Sequence, residues 1–207
     1  SFSKKSNIEL LRCAYFYVDN AYKDYENKNY IEASEKFSKA VQINSSPSIG
    51  KIDTTNMYNA CLTAYQATAY DISISWAQKL LLINPKDMRY HIQLIDSYGD
   101  MGDLDSQLES IKEARIMLPQ SKEIIFKEVN YYLTSGNNDL LRESLDNAIK
   151  SDSTNPVLFF ALGSTYTQLD DVEKAESSYL SAISLDPHYF DAYNNLASLY
   201  LNQTIPL

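Results

Sequence analysis

The sequence predicts an all-α solenoid of antiparallel helix pairs, and three observations predict it. Tyr98, Tyr132, Tyr166 and Tyr200 stand 34 residues apart. Ala114, Ala148 and Ala182 recur at the same interval, and Pro85, Pro119 and Pro187 share it with Ser153 as the exception in their column. Within each interval the apolar residues keep helical spacing, as in Phe159, Leu162 and Tyr166, and not the alternation of a strand. A fixed period of this length marks stacked supersecondary units, none of which can bury its apolar face alone.

The register gives repeats 14–47, 54–87, 88–121, 122–155 and 156–189, then a helix at about 190–203, so that a single array of about five and a half copies spans 1–207. Ser6 and Glu9 read as a capping box, and the first helix runs long, from there to about Asn27. Ala33, Phe37 and Ala40 mark the second half of the first copy, and the step to the next copy is six residues longer. The extra length falls in "SSPSIGKID", where Pro47 and Gly50 predict an enlarged loop. Gly102 and Gly136 are expected to end first helices in the left-handed conformation. Pro85, Pro119 and Pro187 close second helices, because proline cannot continue them.

Gly163 lies inside a helical stretch, where glycine costs about 1 kcal/mol relative to alanine. Its column holds Cys61, Ile95, Val129 and Ala197, uncharged throughout, which predicts a close helix–helix approach. Three slots break pattern. Ser73, Ala77 and Leu80 read small, small, large where Ala175, Tyr179 and Ala182 read small, large, small, as if volume were exchanged within one interface. Glu128 holds a slot given elsewhere to Ala60, Leu94, Leu162 and Leu196, which predicts exposure or a local twist. Asp24 replaces the tyrosine column, with Tyr25 expected to pack in its stead. In the last helix Tyr193, Leu196, Ala197 and Tyr200 are expected to form the buried face, and Asn194, Asn195, Ser198 and Asn202 the polar one.

The charge is −9, from 27 acidic and 18 basic residues, and only four arginines are present. Nucleic-acid binding is disfavoured, because that affinity rests on basic neutralisation of phosphates. No apolar run approaches the roughly 18 residues of a membrane span. Cys13 and Cys61 make neither a CxxC pair nor a disulfide framework. His91 shares a packing column with Met57, Ile125, Phe159 and Tyr193, and His188 sits in a turn. No metal-ligand spacing, nucleophile elbow or phosphate loop is present, so no metal, cofactor or catalytic activity is expected. The sequence begins at Ser1 without Met, and a cytoplasmic or bacterial periplasmic setting fits equally.

The last full copy resembles a tetratricopeptide repeat. Phe159, Leu162, Gly163, Tyr166, Ala175, Tyr179, Ala182 and Pro187 follow that family's pattern, W-x2-LG-x2-Y-x8-A-x3-F-x2-A-x4-P, with aromatic replacements at its first and sixth slots. The resemblance extends from about residue 14 to the C-terminus. It implies a right-handed superhelix whose first helices line a concave groove that holds peptides or helices of other proteins. Alignment to the family places Tyr58, Asn59, Leu62, Tyr65, Arg89, Ile92, Gln93 and Asp96 in that groove, followed by Phe126, Lys127, Asn130, Phe160, Ser164, Thr167 and Asn194. One subset of the family grips a C-terminal carboxylate with Lys, Asn, Asn, Lys and Arg. The matching positions here hold Val18, Tyr22, Asn59, Arg89 and Gln93, which disfavours that mode. The expected function is a non-catalytic scaffold that binds a protein or peptide. The alternative is a regulatory or targeting segment of a larger enzyme or of an envelope or secretion assembly, and self-association through the terminal helices stays open.

Overall fold

The structure, a computed structural model, describes residues 2–204, whose regular structure is eleven α-helices. The chain forms two compact units, Ser1–Met117 and Leu118–Leu207. The first unit holds α1 (Phe2–Glu26), α2 (Tyr30–Asn44), α3 (Thr54–Gln66), α4 (Tyr70–Ile83), α5 (Met88–Met101) and α6 (Leu104–Met117). The second holds α7 (Lys122–Thr134), α8 (Asn138–Ser151), α9 (Pro156–Gln168), α10 (Val172–Leu185) and α11 (Phe190–Thr204). Inside each unit every helix packs on the next, and the first helices of successive pairs also touch: α3 meets α5, α7 meets α9, and α9 meets α11. Helix pairs at the expected period are therefore the structural unit.

The turn inside each pair follows one geometry. Gly102 and Gly136 take positive φ (84° and 71°), as expected, and so do Lys28, Thr68 and Asp170 at the corresponding positions (62°, 57° and 57°). After each of these residues the next N–H donates to a carbonyl five residues back: Asn29 to Asp24, Ala69 to Ala64, Asp103 to Tyr98, Asn137 to Tyr132 and Asp171 to Tyr166. These bonds satisfy carbonyls that the end of a helix leaves without partners. A second periodic device starts the first helices. Asp53, Asp87, Ser121 and Asn155 share a column, and each side chain accepts a bond from a backbone N–H of the helix it precedes (3.2, 3.1, 3.3 and 3.1 Å).

Between the two helices of a pair, size is traded across one contact. A Cβ on Gly163 would lie 2.6 Å from Cδ1 of Tyr179, so the ring occupies the space that a side chain on α9 would need. Cys61, in the glycine's column, is buried with Ala77, in the tyrosine's column. Ala21 and Phe37 repeat the small-against-large arrangement in the first pair. Ser73, Ala77 and Leu80 are all fully buried, consistent with exchanged volume. The side chain of Ala148 lies outside those described.

Four expectations need correction. Helix α1 begins at Phe2, so Ser6 lies within it and is not its cap. Asp24 stays in the tyrosine slot because the Lys36 ammonium donates to it, while Tyr25 turns outward against Tyr30 (5.6 Å between ring centroids). Of the two alternatives expected for Glu128, exposure does not hold: it is 8% accessible and lies near Tyr132, whose hydroxyl pKa is raised by burial and then by the Glu128 charge. In α11 the buried face is Ala192, Leu196 and Leu199, whereas Tyr193 and Tyr200 are 44% and 40% exposed. Ala197 is exposed as well. In earlier pairs the second helix that follows covers that column, and among the described residues no helix follows α11.

Two substitutions test these contacts. Thr68→Gly relieves a β-branched residue from a left-handed position, worth about 1–2 kcal/mol, against about 0.5–1 kcal/mol of extra unfolded-state freedom. We expect urea unfolding to show a net gain of roughly 0.5–1 kcal/mol. Gly163→Ala gains helix propensity of about 1 kcal/mol but forces the Tyr179 ring to move. Overpacking of this kind costs about 1–3 kcal/mol, so the variant should unfold at lower urea, and an unchanged midpoint would contradict the close approach.

Candidate partner-binding groove

Because first helices adjoin one another within each unit, their outward side chains form rows. In the first unit the row runs over α1, α3 and α5. The Tyr58 ring is half-buried, 5.6 Å from that of Tyr90, and the Arg89 guanidinium lies 5.2 Å from the Tyr58 ring centroid. Burial raises the Tyr58 hydroxyl pKa. Arg89 is also gripped by Asp87 through two bonds, Nη2 at 2.7 Å and Nε at 3.0 Å. This same carboxylate caps α5, and its pKa is lowered chiefly by the Arg89 side chain. Arg89 therefore brings its own acid, and a partner carboxylate would have to compete with Asp87.

Asn59 donates through Nδ2 to the Tyr22 hydroxyl (3.1 Å), tying α3 to α1. The Tyr65 hydroxyl donates to Asp100, tying α3 to α5, and this bond raises the phenol pKa far above its ordinary value. Leu62, Ile92 and Asp96 are half-buried along the row. Gln93 is only 6% exposed and serves as wall, not as free surface. Where α1 approaches the loop before α3 lies a recess of about 270 Å³, lined by Leu11, Tyr15, Val18 and Tyr22 with Asp53 and Asn56. Asp53 accepts bonds there from the side-chain amides of Asn44 (2.6 Å) and Asn56 (2.7 Å). Burial raises its pKa, but these bonds and the Asn56 backbone N–H outweigh that effect and hold the carboxyl below its ordinary range.

The second unit presents a different row, on α7, α9 and α11. Phe126 meets Phe160 edge-on with centroids 6.0 Å apart, and Phe160 meets Tyr189 at 5.2 Å and Tyr179 at 6.0 Å. Tyr179 belongs to α10, yet its ring passes Gly163 and its hydroxyl lies 3.0 Å from Thr167 Oγ1, 3.4 Å from Ser164 Oγ and 3.5 Å from Asn195 Nδ2. The glycine thus lets a second-helix hydroxyl reach polar residues of the first-helix row. Lys127 is half-buried, and Asn130, Thr167 and Asn194 are exposed around the rings. Burial pushes the Tyr189 hydroxyl up to about 12.

Among the sequence-predicted residues, direct contacts join Tyr58 to Arg89 in the first unit and Phe126 to Phe160 in the second. Sequence reasoning missed Asp53, Asp100, Tyr189 and the Tyr179 hydroxyl. Asp53 and Tyr189 occupy the column that starts first helices, and a tyrosine in a capping column was a visible irregularity. Asp100 carried no sequence signal, because it falls in no repeat column. Among the described residues no group of His, Cys, Asp and Glu could hold a metal ion, and no helix is long and apolar enough to cross a membrane.

Residues 163–203 match the family model described as TPR repeat. A tetratricopeptide-repeat protein of Parabacteroides merdae is similar in structure, with a TM-score of 0.61 and 13% identity, covering 92% of this chain and 73% of that one. So is a thermophilic TPR protein of Thermus thermophilus, with a TM-score of 0.53 and 19% identity over 91% of this chain and 99% of its own. YrrB, described as a TPR protein with an unusual peptide-binding site, aligns with a TM-score of 0.54 and 18% identity over 94% of this chain and 97% of its own. No curated protein sequence matches the chain. The family match over residues 163–203, the shared fold and the helix pairs with their common turn agree: the chain has the fold of tetratricopeptide-repeat proteins.

Proposed function

We propose that the chain is a non-catalytic interaction scaffold that holds a peptide or helix of a partner protein along its first-helix rows. One observation carries this reading. In the second unit the Phe126 and Phe160 rings meet edge-on while half-accessible, and the exposed amides and hydroxyl of Asn130, Asn194 and Thr167 stand around them. Rings of this kind supply apolar anchor sites, and the surrounding amides supply donors and acceptors for a backbone laid across them. The Tyr22–Asn59 bond and the recess beside it offer the same combination in the first unit. The fold likeness to YrrB, a protein described by its peptide-binding site, supports the same use of the repeats.

The test uses exposed Asn130, Asn194 and Tyr22 together with half-buried Asn59, all outside the fully buried core. Asn130→Glu with Asn194→Glu alters the second row, and Tyr22→Ala with Asn59→Ala alters the first. We expect a partner captured by the wild-type chain to bind at least one double variant roughly tenfold or more weakly, with circular dichroism showing that each variant is still folded. Capture of every partner by both variants at wild-type affinity would refute the proposal.

A further inference from the structure

The first unit has a second recess, on the other side of α5 from the row of Arg89, Ile92 and Asp96. It is an open cleft of about 590 Å³ between the second helices α4 and α6, and His91, Leu94 and Tyr98 of α5 form its floor. At about 100° per residue, His91, Leu94 and Tyr98 turn away from Ile92 and Asp96, so the two surfaces share a helix but not a face. Leu81 and Leu82 wall one side, and Ile116 and Met117 the other. Leu82 and Ile116 stand 34 residues apart in the sequence, and the repeat brings them to one cleft. They are 87% and 75% exposed, far more than aliphatic side chains beside an apolar cleft would be if the surface were complete.

The polar groups of the cleft are largely satisfied within it. Ser110 on α6 donates to the Ser106 carbonyl of its own helix (2.8 Å), Gln78 donates to the Tyr98 hydroxyl (3.2 Å), and His91 Nε2 lies 2.8 Å from the Pro85 carbonyl. An extended peptide would bury backbone N–H and C=O groups there with few partners. A helix arrives with those groups already paired and offers one apolar face. Charge narrows the chemistry further. Glu109 and Glu113 stand on the α6 side of the cleft, and Glu109 meets Lys112 at 3.9 Å in an exposed and weak pair.

We propose that this cleft is a second docking site, and that it takes an amphipathic helix of a protein partner whose aliphatic anchors are flanked by Lys or Arg. The anchors pack between Leu82 and Ile116, and the basic residues meet Glu109 and Glu113. Both aliphatic positions are exposed, so Leu82→Asp and Ile116→Asp alter the cleft without opening the core.

A display library of helix-favouring peptides, selected on the full chain, tests the proposal. Selected peptides that lose about tenfold or more in affinity on Leu82→Asp or Ile116→Asp should be enriched in Lys and Arg beside apolar residues at helical spacing. Their binding should weaken with Glu109→Lys and Glu113→Lys and with added salt, and should survive Tyr22→Ala with Asn59→Ala. That last comparison separates this site from the first-helix rows. Failure to recover any peptide that depends on Leu82 or Ile116 would overturn the proposal. So would dependent peptides that are acidic, neutral or proline-rich and extended.

Discussion

The rest of the structure depends on the contact between the two helices of one repeat. Protein interiors are close-packed, so two helices held at a common separation must fill a common volume between them. Glycine meets tyrosine at 163 and 179, and alanine is buried with phenylalanine at 21 and 37. Cysteine and alanine share the contact at 61 and 77, where Leu80 fills the space that the small pair leaves. Ile95 with Ile111, and Val129 with Leu145, hold the corresponding positions as buried pairs of intermediate size. No single residue type is required at either column. What recurs is that both positions are buried, while the size of the pair differs from repeat to repeat.

The turns show the same priority of packing over local preference. A β-branched threonine, a lysine and an aspartate adopt the left-handed conformation that glycine adopts elsewhere. Left-handed backbone costs an ordinary residue about 1–2 kcal/mol. It persists at Thr68 because the bond from Ala69 to the Ala64 carbonyl, and the burial of Ala64 and Ala77 on either side of the turn, leave the chain no other route. The side-chain caps that start first helices work in the favourable direction. They fix where each helix begins, and hence the height at which its outward residues stand beside those of the preceding repeat.

Much of this was legible in the sequence, because period and column report which positions face a neighbour. The helix pairs, the Gly102 and Gly136 turns and the close approach at Gly163 all follow from columns. What a column cannot report is whether the neighbour is present. Tyr193, Ala197 and Tyr200 have the residue types of a buried face, but burial needs a covering helix, and α11 buries Ala192, Leu196 and Leu199 instead. Asp24 reads as a defect until Lys36 is placed beside it. The candidate site was legible to the level of residue type and row. Its bonds between helices, Asn59 to Tyr22 and Tyr65 to Asp100, join residues 37 and 35 apart, near but off the period, so no column flags them.

The division of chemistry between the two sides of α5 follows from the same construction. A first helix must pack on its own second helix and on the first helices beside it, which leaves a narrow outward strip. In this chain that strip is filled by rings, amides and hydroxyls, many of them already bonded to each other. Second helices are less closely joined to one another, and where α4 and α6 stand apart the floor between them is the flank of α5. That floor consists of packing residues, not of a solvated strip, so the cleft is apolar by origin. Its Leu82 and Ile116 walls and its Glu109 and Glu113 rim then distinguish it from the first-helix row. One helix thus supports two surfaces of unlike chemistry, and a segment suited to one of them is poorly suited to the other.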